Sequence, residues 1–131
     1  MNPEDFSLHD VSTFPIVRLA RSIEGAGLSP QWCSEMERLF RGRQSFVLIY
    51  PSPSGEEAFE DRTARTLWMK ANRERMKEHC LSVIIVEPDE QQRVDLEKVF
   101  PHLEHAFGAP QCAAASSAEA QAIARRLLAV T

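Results

Sequence analysis

The sequence predicts one α/β domain over residues 1–131, built on a single mixed sheet of about five strands in the order β-β-α-β-α-β-α-β-α. Three observations support this. Two short strand-like segments open the chain with only a turn between them. Two mainly apolar runs, 45–50 and 81–87, are typical of strands covered on both faces. Segments with apolar residues at helical spacing separate the later strands, so those strands should run parallel through crossover connections.

The opening segments are predicted to form an antiparallel hairpin. Residues 6–11 carry Phe6 and Leu8 at alternating positions, and residues 16–20 form a second apolar run. The connection around Ser12 and Thr13 is too short for a crossover, so only antiparallel pairing is open to it. The first strand should therefore lie at an edge of the sheet.

The first helix is predicted to begin at Ser29 and Pro30, with serine as the cap and proline at the first helical position. Gly42 follows as a stop signal. Four apolar residues at helical spacing define its core-facing side: Trp32, Met36, Leu39 and Phe40.

A long second helix is predicted from about residue 55 to residue 79. Ser54 and Glu57 match the S-x-x-E capping box at its start. Two further helices have comparable start signals, Asp89 with Gln92 and Ser116 with Glu119. Pro101 should kink or restart the earlier of these two helices. A weaker last strand is predicted between them at 111–115.

The long helix has an unusual distribution of apolar residues. One apolar stripe consists of Ala64, Leu67, Trp68 and Ala71, and a second of Met69 and Met76. Between the stripes lies a polar seam of Asp61, Arg65, Asn72 and His79, in which Asp61 and Arg65 can pair at i, i+4.

Two interpretations of this helix are open. In one, it packs on its own sheet and also forms a dimer interface, a partner interface or the wall of a ligand cleft. In the other, Trp68 and the methionines fill one broad core and the polar seam is exposed. The candidate interface or ligand-binding residues are Asp61, Arg65, Trp68, Asn72 and Met76.

Composition excludes several classes of function. The net charge is −4 and the isoelectric point about 5.6, so no general basic field attracts nucleic acid or an anionic membrane. No apolar run is long enough to insert into a bilayer, and the acidic N-terminus does not resemble a signal peptide. Three cysteines without C-x-x-C spacing indicate free thiols, and we expect a cytoplasmic location.

No group of residues in the sequence matches the pattern of a known catalytic site. His102 and His105 have a spacing that suits a metal, but zinc sites use three or four protein ligands and no second pair exists. His79 and Cys80 are adjacent on the predicted helix and point in different directions, so they do not make a nucleophile and its base. We therefore expect no catalytic residue, no metal and no cofactor.

The element order and length resemble those of a STAS domain, and within that group the chain is most similar to the stand-alone SpoIIAA-like proteins. In the family's anti-sigma-factor antagonists, a serine in an Asp-Ser-Ser/Thr-x-Gly pattern is phosphorylated where the next helix begins. The matching stretch here, 51–55, contains Ser52, Ser54 and Gly55, with two prolines and no aspartate. The resemblance implies Ser54 as the phosphorylation site; the alternative is that Ser54 only caps its helix.

Two functions are therefore expected as alternatives. The first is a non-enzymatic, STAS-like binding or regulatory domain that acts through protein contact, as a homodimer through the helix at 55–79. The second is a protein that binds a small apolar molecule or lipid, or an enzyme whose reaction is unknown. In either case its cleft would lie at the carboxyl ends of the central strands. That cleft would be bounded by Ser52, Ser54, Glu87 and Asp89.

Overall fold

A computed structural model describes residues 2–20, 27–52 and 59–130, the last range without the side chains of 59–61. It confirms the predicted class, an α/β fold with one mixed five-stranded sheet. The strands lie side by side in chain order. They are β1 (His9–Asp10), β2 (Ile16–Leu19), β3 (Phe46–Pro51), β4 (Cys80–Val86) and β5 (Gln111–Ala114).

The predicted hairpin is present. β1 pairs antiparallel with β2 and forms one edge of the sheet, whereas all later neighbours pair in parallel. β1 is much shorter than the predicted segment 6–11, because only two residue pairs, His9 with Leu19 and Asp10 with Arg18, continue the ladder. The chain before β1 is instead held by side-chain hydrogen bonds, which are described below.

Helices cover both faces of the sheet. They are α1 (Ser29–Arg41), α2 (Phe59–Ala71), α3 (Arg73–His79), α4 (Glu90–Phe107) and α5 (Ser117–Ala129). Strands laid down in chain order with right-handed crossovers place their connecting helices on one face. Accordingly α1 packs beside α2, and α4 beside α2 and α3, whereas α5 packs on the opposite face against β3 and β4.

The central strand β3 is buried on both sides, as its apolar run predicts. Phe46 and Leu48 point into the core beneath α1 to α3. Val47 and Ile49 point into the smaller core beneath α5. All four side chains are at most 3% exposed. The sheet therefore separates two cores that share one strand.

The prediction of a single helix over 55–79 is wrong, because the structure has two helices that meet at Asn72. Asn72 leaves helical geometry with φ −109° and ψ 22°, and its side-chain amide donates to the carbonyl of Trp68 at 2.8 Å. Asparagine competes with the helical backbone in this way more than most residues do. The predicted capping box at Ser54 and Glu57 lies outside the described residues.

The other helix starts are mostly as predicted. Asp89 accepts from the Gln92 N–H at 2.9 Å and Ser116 from the Glu119 N–H at 3.1 Å. The predicted cap at Ser29 is wrong: Ser29 is already the first helical residue and Leu28 occupies the cap position without a side-chain bond.

α4 runs without a break through Pro101 to Phe107, so the helix does not restart at the proline. A proline inside a helix removes one donor, here the one for the carbonyl of Glu97, and its ring crowds that same carbonyl. Within the described residues, no helix combines the length and apolar character that a membrane crossing requires.

Candidate functional site

A buried carboxylate on α1 joins that helix to the start of the sheet. The Glu35 side chain accepts hydrogen bonds from the backbone N–H groups of Ser7, Leu8 and His9 at 2.9, 3.0 and 2.8 Å. The Gln31 amide, one turn earlier on α1, also donates to it. Three consecutive N–H groups that β2 does not pair are thus satisfied by one side chain.

The imidazole of His9 continues this arrangement towards the centre of the sheet. Its Nδ1 lies 2.9 Å from Glu35 Oε1, and its Nε2 lies 2.6 Å from the hydroxyl of Tyr50 on β3. The indole Nε1 of Trp32 donates to the same hydroxyl at 3.0 Å. We call these four residues, Glu35, His9, Tyr50 and Trp32, the polar chain.

The carboxylate of Glu35 and the indole of Trp32, at the two ends of the polar chain, determine where the protons lie. A carboxylate only accepts, so Nδ1 of His9 carries the hydrogen that Glu35 receives. In the neutral imidazole Nε2 is then an acceptor, and the Tyr50 hydroxyl donates to it. That hydroxyl oxygen receives the Trp32 N–H. Donors and acceptors therefore alternate without conflict from the indole to the carboxylate.

Burial and hydrogen bonding act in opposite directions on Glu35. Burial by itself raises the pKa of the carboxyl, but hydrogen bonds from His9, Gln31 and the backbone outweigh it and hold the pKa far below its ordinary value. Burial raises the pKa of Tyr50 well above its ordinary value, and the Trp32 hydrogen bond offsets only part of that rise. At neutral pH Glu35 is ionised and Tyr50 is protonated.

The polar chain has the order of groups found in acid–base relays, a carboxylate, an imidazole and a hydroxyl. However, the side chains of His9 and Glu35 have no solvent exposure at all. A general base must come within hydrogen-bond reach of the group from which it takes a proton. In this conformation the polar chain links α1, β1 and β3, and it does not present His9 to a substrate.

An aromatic cluster lies beside the polar chain and holds α2 against α1. The Trp68 ring meets Trp32 edge to face with centroids 5.3 Å apart, and it stacks on Phe40 at 5.8 Å with an interplanar angle of 6°. Arg65 lies one turn before Trp68, its guanidinium 5.9 Å from the Trp32 ring centroid. Burial is the main reason that the pKa of Arg65 is lowered.

Met76 and Asn72, two further candidates on this side, also face inwards. Met76 is 1% exposed and belongs to the core. Asn72 accepts a hydrogen bond from Arg75 at 3.0 Å, and Arg75 in turn pairs with Glu37 of α1 at 2.7 Å. The Arg65–Asn72 part of the predicted polar seam is therefore half-buried towards the core and α1. Asp61 lies on α2, but its side chain is outside the described structure.

The two predicted apolar stripes are divided differently in the structure. Trp68, Met69 and Met76 all face the core. Ala64, Leu67 and Ala71 point outwards, and Leu67 is 62% exposed. We call these last three residues the outer stripe. It is the part of the long-helix prediction that lacks a partner within the described chain.

Of the predicted cleft residues, Ser52, Glu87 and Asp89 lie near the carboxyl ends of β3 and β4. The backbone N–H of Ser52 donates to the carbonyl of Val86 at 3.0 Å. The carboxylate of Glu87 accepts from the N–H of Asp89 at 3.0 Å. Both groups serve local structure, and Ser54 lies outside the described residues.

A recess of about 280 Å³ does lie at these strand ends, on the side covered by α5. Ile49 and Val86 give it apolar walls, and Arg18 and Ser117 give it a polar rim. The Arg18 guanidinium donates to Ser117 at 2.8 Å and also to Gln121. Arg18 and Ser117 were not among the residues predicted from the sequence to bound a cleft.

The thiols lie apart from one another in the described part of the chain. Among the described residues, no three histidine, cysteine, aspartate or glutamate side chains lie close enough to hold an ion. Burial raises the pKa of all three thiols, that of Cys80 to about 12. Cys33 and Cys112 are half-buried and Cys80 is buried.

Sequence reasoning missed the polar chain, although Glu35 left a detectable sign. It lies three residues after Trp32 and four before Leu39, on the face predicted to be apolar, and a carboxylate there requires partners. His9 left no comparable sign, because alternation with Leu8 places it on the opposite face of a regular strand.

Comparisons with known proteins found no relative of this chain. No protein-family model, no curated protein and no solved structure matches it.

Proposed function

We propose that this chain is a non-enzymatic binding or regulatory domain of STAS-like type that acts through protein–protein contact, and that it forms a homodimer through α2. The observation that carries the proposal is the outer stripe, where Leu67 is 62% exposed between two exposed alanines. The opposite side of the same helix is anchored in the core by Trp68.

A helix with one face in the core and a second apolar face in solvent suits helix-to-helix association. Small residues on either side of Leu67 allow a second helix to approach closely. The outer stripe consists of only three residues, whereas stable interfaces bury roughly 1,000 Å² or more. We therefore expect a reversible dimer with micromolar affinity.

The burial of the polar chain favours binding over catalysis. Glu35, His9 and Tyr50 are the described residues best suited to acid–base chemistry, and two of their three side chains are completely buried. Their hydrogen bonds connect α1, the β1 edge and β3. This arrangement stabilises the scaffold on which α2 is presented.

Light scattering coupled to size-exclusion chromatography tests the dimer. We expect wild type to shift from monomer towards dimer as its concentration rises through the micromolar range, and Leu67→Lys to remain monomeric. Val130→Lys is the matched control, since Val130 is 83% exposed and follows α5 on the other face of the sheet.

Trp68→Ala is a poorer test, because Trp68 packs on Trp32 and Phe40 and its loss would disturb the core. A wild-type protein that stays monomeric, or a Leu67→Lys protein that dimerises as wild type does, would contradict the proposal.

The recess at the strand ends supports a second candidate, binding of a small apolar or lipid-like molecule. Its walls suit a short alkyl chain and Arg18 suits an acidic group at the end of that chain. Octanoate should then raise the melting temperature of wild type more than that of Arg18→Gln. If octanoate shifts neither protein, the recess is not such a site.

A further inference from the structure

β5 forms the second edge of the sheet, and no strand pairs with its outer side among the described residues. Pairing with β4 uses the carbonyls of Pro110 and Ala114, which accept from Val83 and Glu87 at 2.8 Å each. In a parallel ladder the N–H and C=O of every second residue point the same way. The backbone groups of Gln111 and Ala113 therefore point away from β4.

Two of the outward N–H groups at this edge are covered by side chains. Glu104 of α4 accepts from the Gln111 N–H at 2.9 Å, and Glu119 of α5 accepts from the Ala115 N–H at 3.1 Å. Between them, no partner among the described residues is found for the Ala113 N–H or for the carbonyls of Gln111 and Ala113. One extended peptide segment can satisfy all three groups.

A groove of about 430 Å³ lies along this edge between α4 and β5. Phe100 and Pro101 supply an apolar wall, and Glu97 and Glu104 supply two carboxylates. Its lining contains no basic side chain. Carboxylates beside an apolar wall attract a positively charged side chain that carries an aliphatic stem.

We propose that the β5 edge and this groove bind an extended peptide segment of another protein, rich in lysine or arginine, by adding a strand to the sheet. Strand addition draws its affinity from backbone hydrogen bonds and its specificity from side-chain pockets. A second copy of this chain fits less well. Pairing two β5 edges brings the Glu97 and Glu104 carboxylates of both α4 helices together, and like charges facing each other across an interface are destabilising.

Peptide titration followed by amide NMR tests the proposal. The probe is a capped hexapeptide of alternating valine and lysine. One control peptide has glutamate in place of lysine, and another is N-methylated at alternate amides so that it cannot form a ladder. We expect the lysine peptide to shift the Ala113 amide resonance and to slow its hydrogen exchange, and both controls to be at least about fivefold weaker.

Two variants locate the contact. Ala113→Pro removes an N–H that β4 does not use, and proline is tolerated at such edge positions. It should weaken binding about tenfold while leaving the oligomeric state unchanged. Glu97→Lys replaces one of the two groove carboxylates by a positive charge and should abolish the preference for the lysine peptide over the glutamate peptide. This variant provides a test that does not depend on folding of the proline variant.

Several outcomes would overturn the proposal. One is the absence of any shift at Ala113 with the lysine peptide at millimolar concentration. Another is equal binding of the N-methylated peptide. A change in oligomeric state in Ala113→Pro would instead identify the edge as a contact between copies. None of these outcomes concerns Leu67, so the two proposals succeed or fail separately.

Discussion

The carboxylate of Glu35 lies 2.9 Å from Nδ1 of His9 although neither side chain has any solvent exposure. The same carboxylate also accepts from the N–H groups of Ser7, Leu8 and His9. Because β1 itself contributes only two residues to the sheet, this side chain replaces ladder hydrogen bonds that the edge strand does not make. Glu35 therefore determines where the chain before β2 lies.

Glu35→Gln should destabilise the protein by about 3 kcal/mol, because an amide turns a donor towards N–H groups that need acceptors and leaves them buried and unpaired. Chemical denaturation with urea measures the change. Glu37→Gln on the same helix is the matched control. Glu37 pairs with Arg75 in a partly exposed position, so we expect that variant to lose less than about 1 kcal/mol.

An equal loss in the two variants would contradict the structural role of Glu35. A rearranged native state in Glu35→Gln would be visible as a changed denaturant slope.

Stability should fall in acid partly through Glu35. The unfolded chain takes up a proton near the ordinary glutamate pKa of about 4.3, whereas the folded pKa is held far lower. The contribution of Glu35 is therefore complete above that pH and is lost as the pH falls below it, at up to about 1.4 kcal/mol per pH unit. Measured by urea unfolding from pH 6 to pH 2.5 (roughly the range over which the linkage acts), Glu35→Gln should show the shallower decline. Parallel curves would contradict this assignment.

Tyr50 should limit stability at alkaline pH. Its folded pKa is raised by burial, so the unfolded state loses its phenolic proton first, near the ordinary tyrosine value of about 10. Stability that Tyr50 contributes is complete below that pH and is lost as the pH rises through it. Tyr50→Phe should be less stable at neutral pH, since it lacks the hydrogen bonds to His9 and Trp32, but its stability should decline less above pH 10. Absorbance at the phenolate wavelength provides an independent check.

The regular elements could be predicted because local chemistry dictates them. Asp89 and Ser116 cap their helices wherever those helices pack, and the apolar run of β3 requires cover on both faces. The division of the long helix at Asn72 was harder to predict. The preference of asparagine for local hydrogen bonds competes with helix continuation on nearly equal terms.

The polar chain could not be assembled from sequence because its members come from distant parts of the chain. Glu35 and His9 are 26 residues apart, and His9 and Tyr50 are 41 apart. A carboxylate on an apolar helix face indicates that a partner exists, but only the packing of α1 on the sheet edge selects which one. The inward orientation of Trp68 likewise depends on where α1 places Trp32 and Phe40.

The thiols should react in an order set by burial. Cys80 is buried, its pKa is raised to about 12, and its thiol donates to the Ser82 carbonyl at 3.4 Å. The thiolate is the reactive form, so Cys80 should be the slowest of the three towards iodoacetamide at pH 7.5. Peptide mass spectrometry after timed alkylation measures the rates, with urea-unfolded protein as the control in which the rates converge. A fast Cys80 would show that the α3–β4 region opens readily.

Among the glycines in the described part of the chain, Gly108 should tolerate substitution least. It ends α4 with φ +90°, and a Cβ at this position would lie 2.1 Å from the backbone carbonyl oxygen of Arg73 at the start of α3. Neither backbone can yield without separating α3 from α4. Gly108→Ala should therefore cost about 3 kcal/mol or more, the sum of left-handed strain and displacement of the helix pair. Gly27→Ala separates the two contributions, because Gly27 has φ +78° with open space around the added methyl group and should cost only about 1 kcal/mol. Equal losses in urea unfolding would mean that the contact with Arg73 is not maintained in solution.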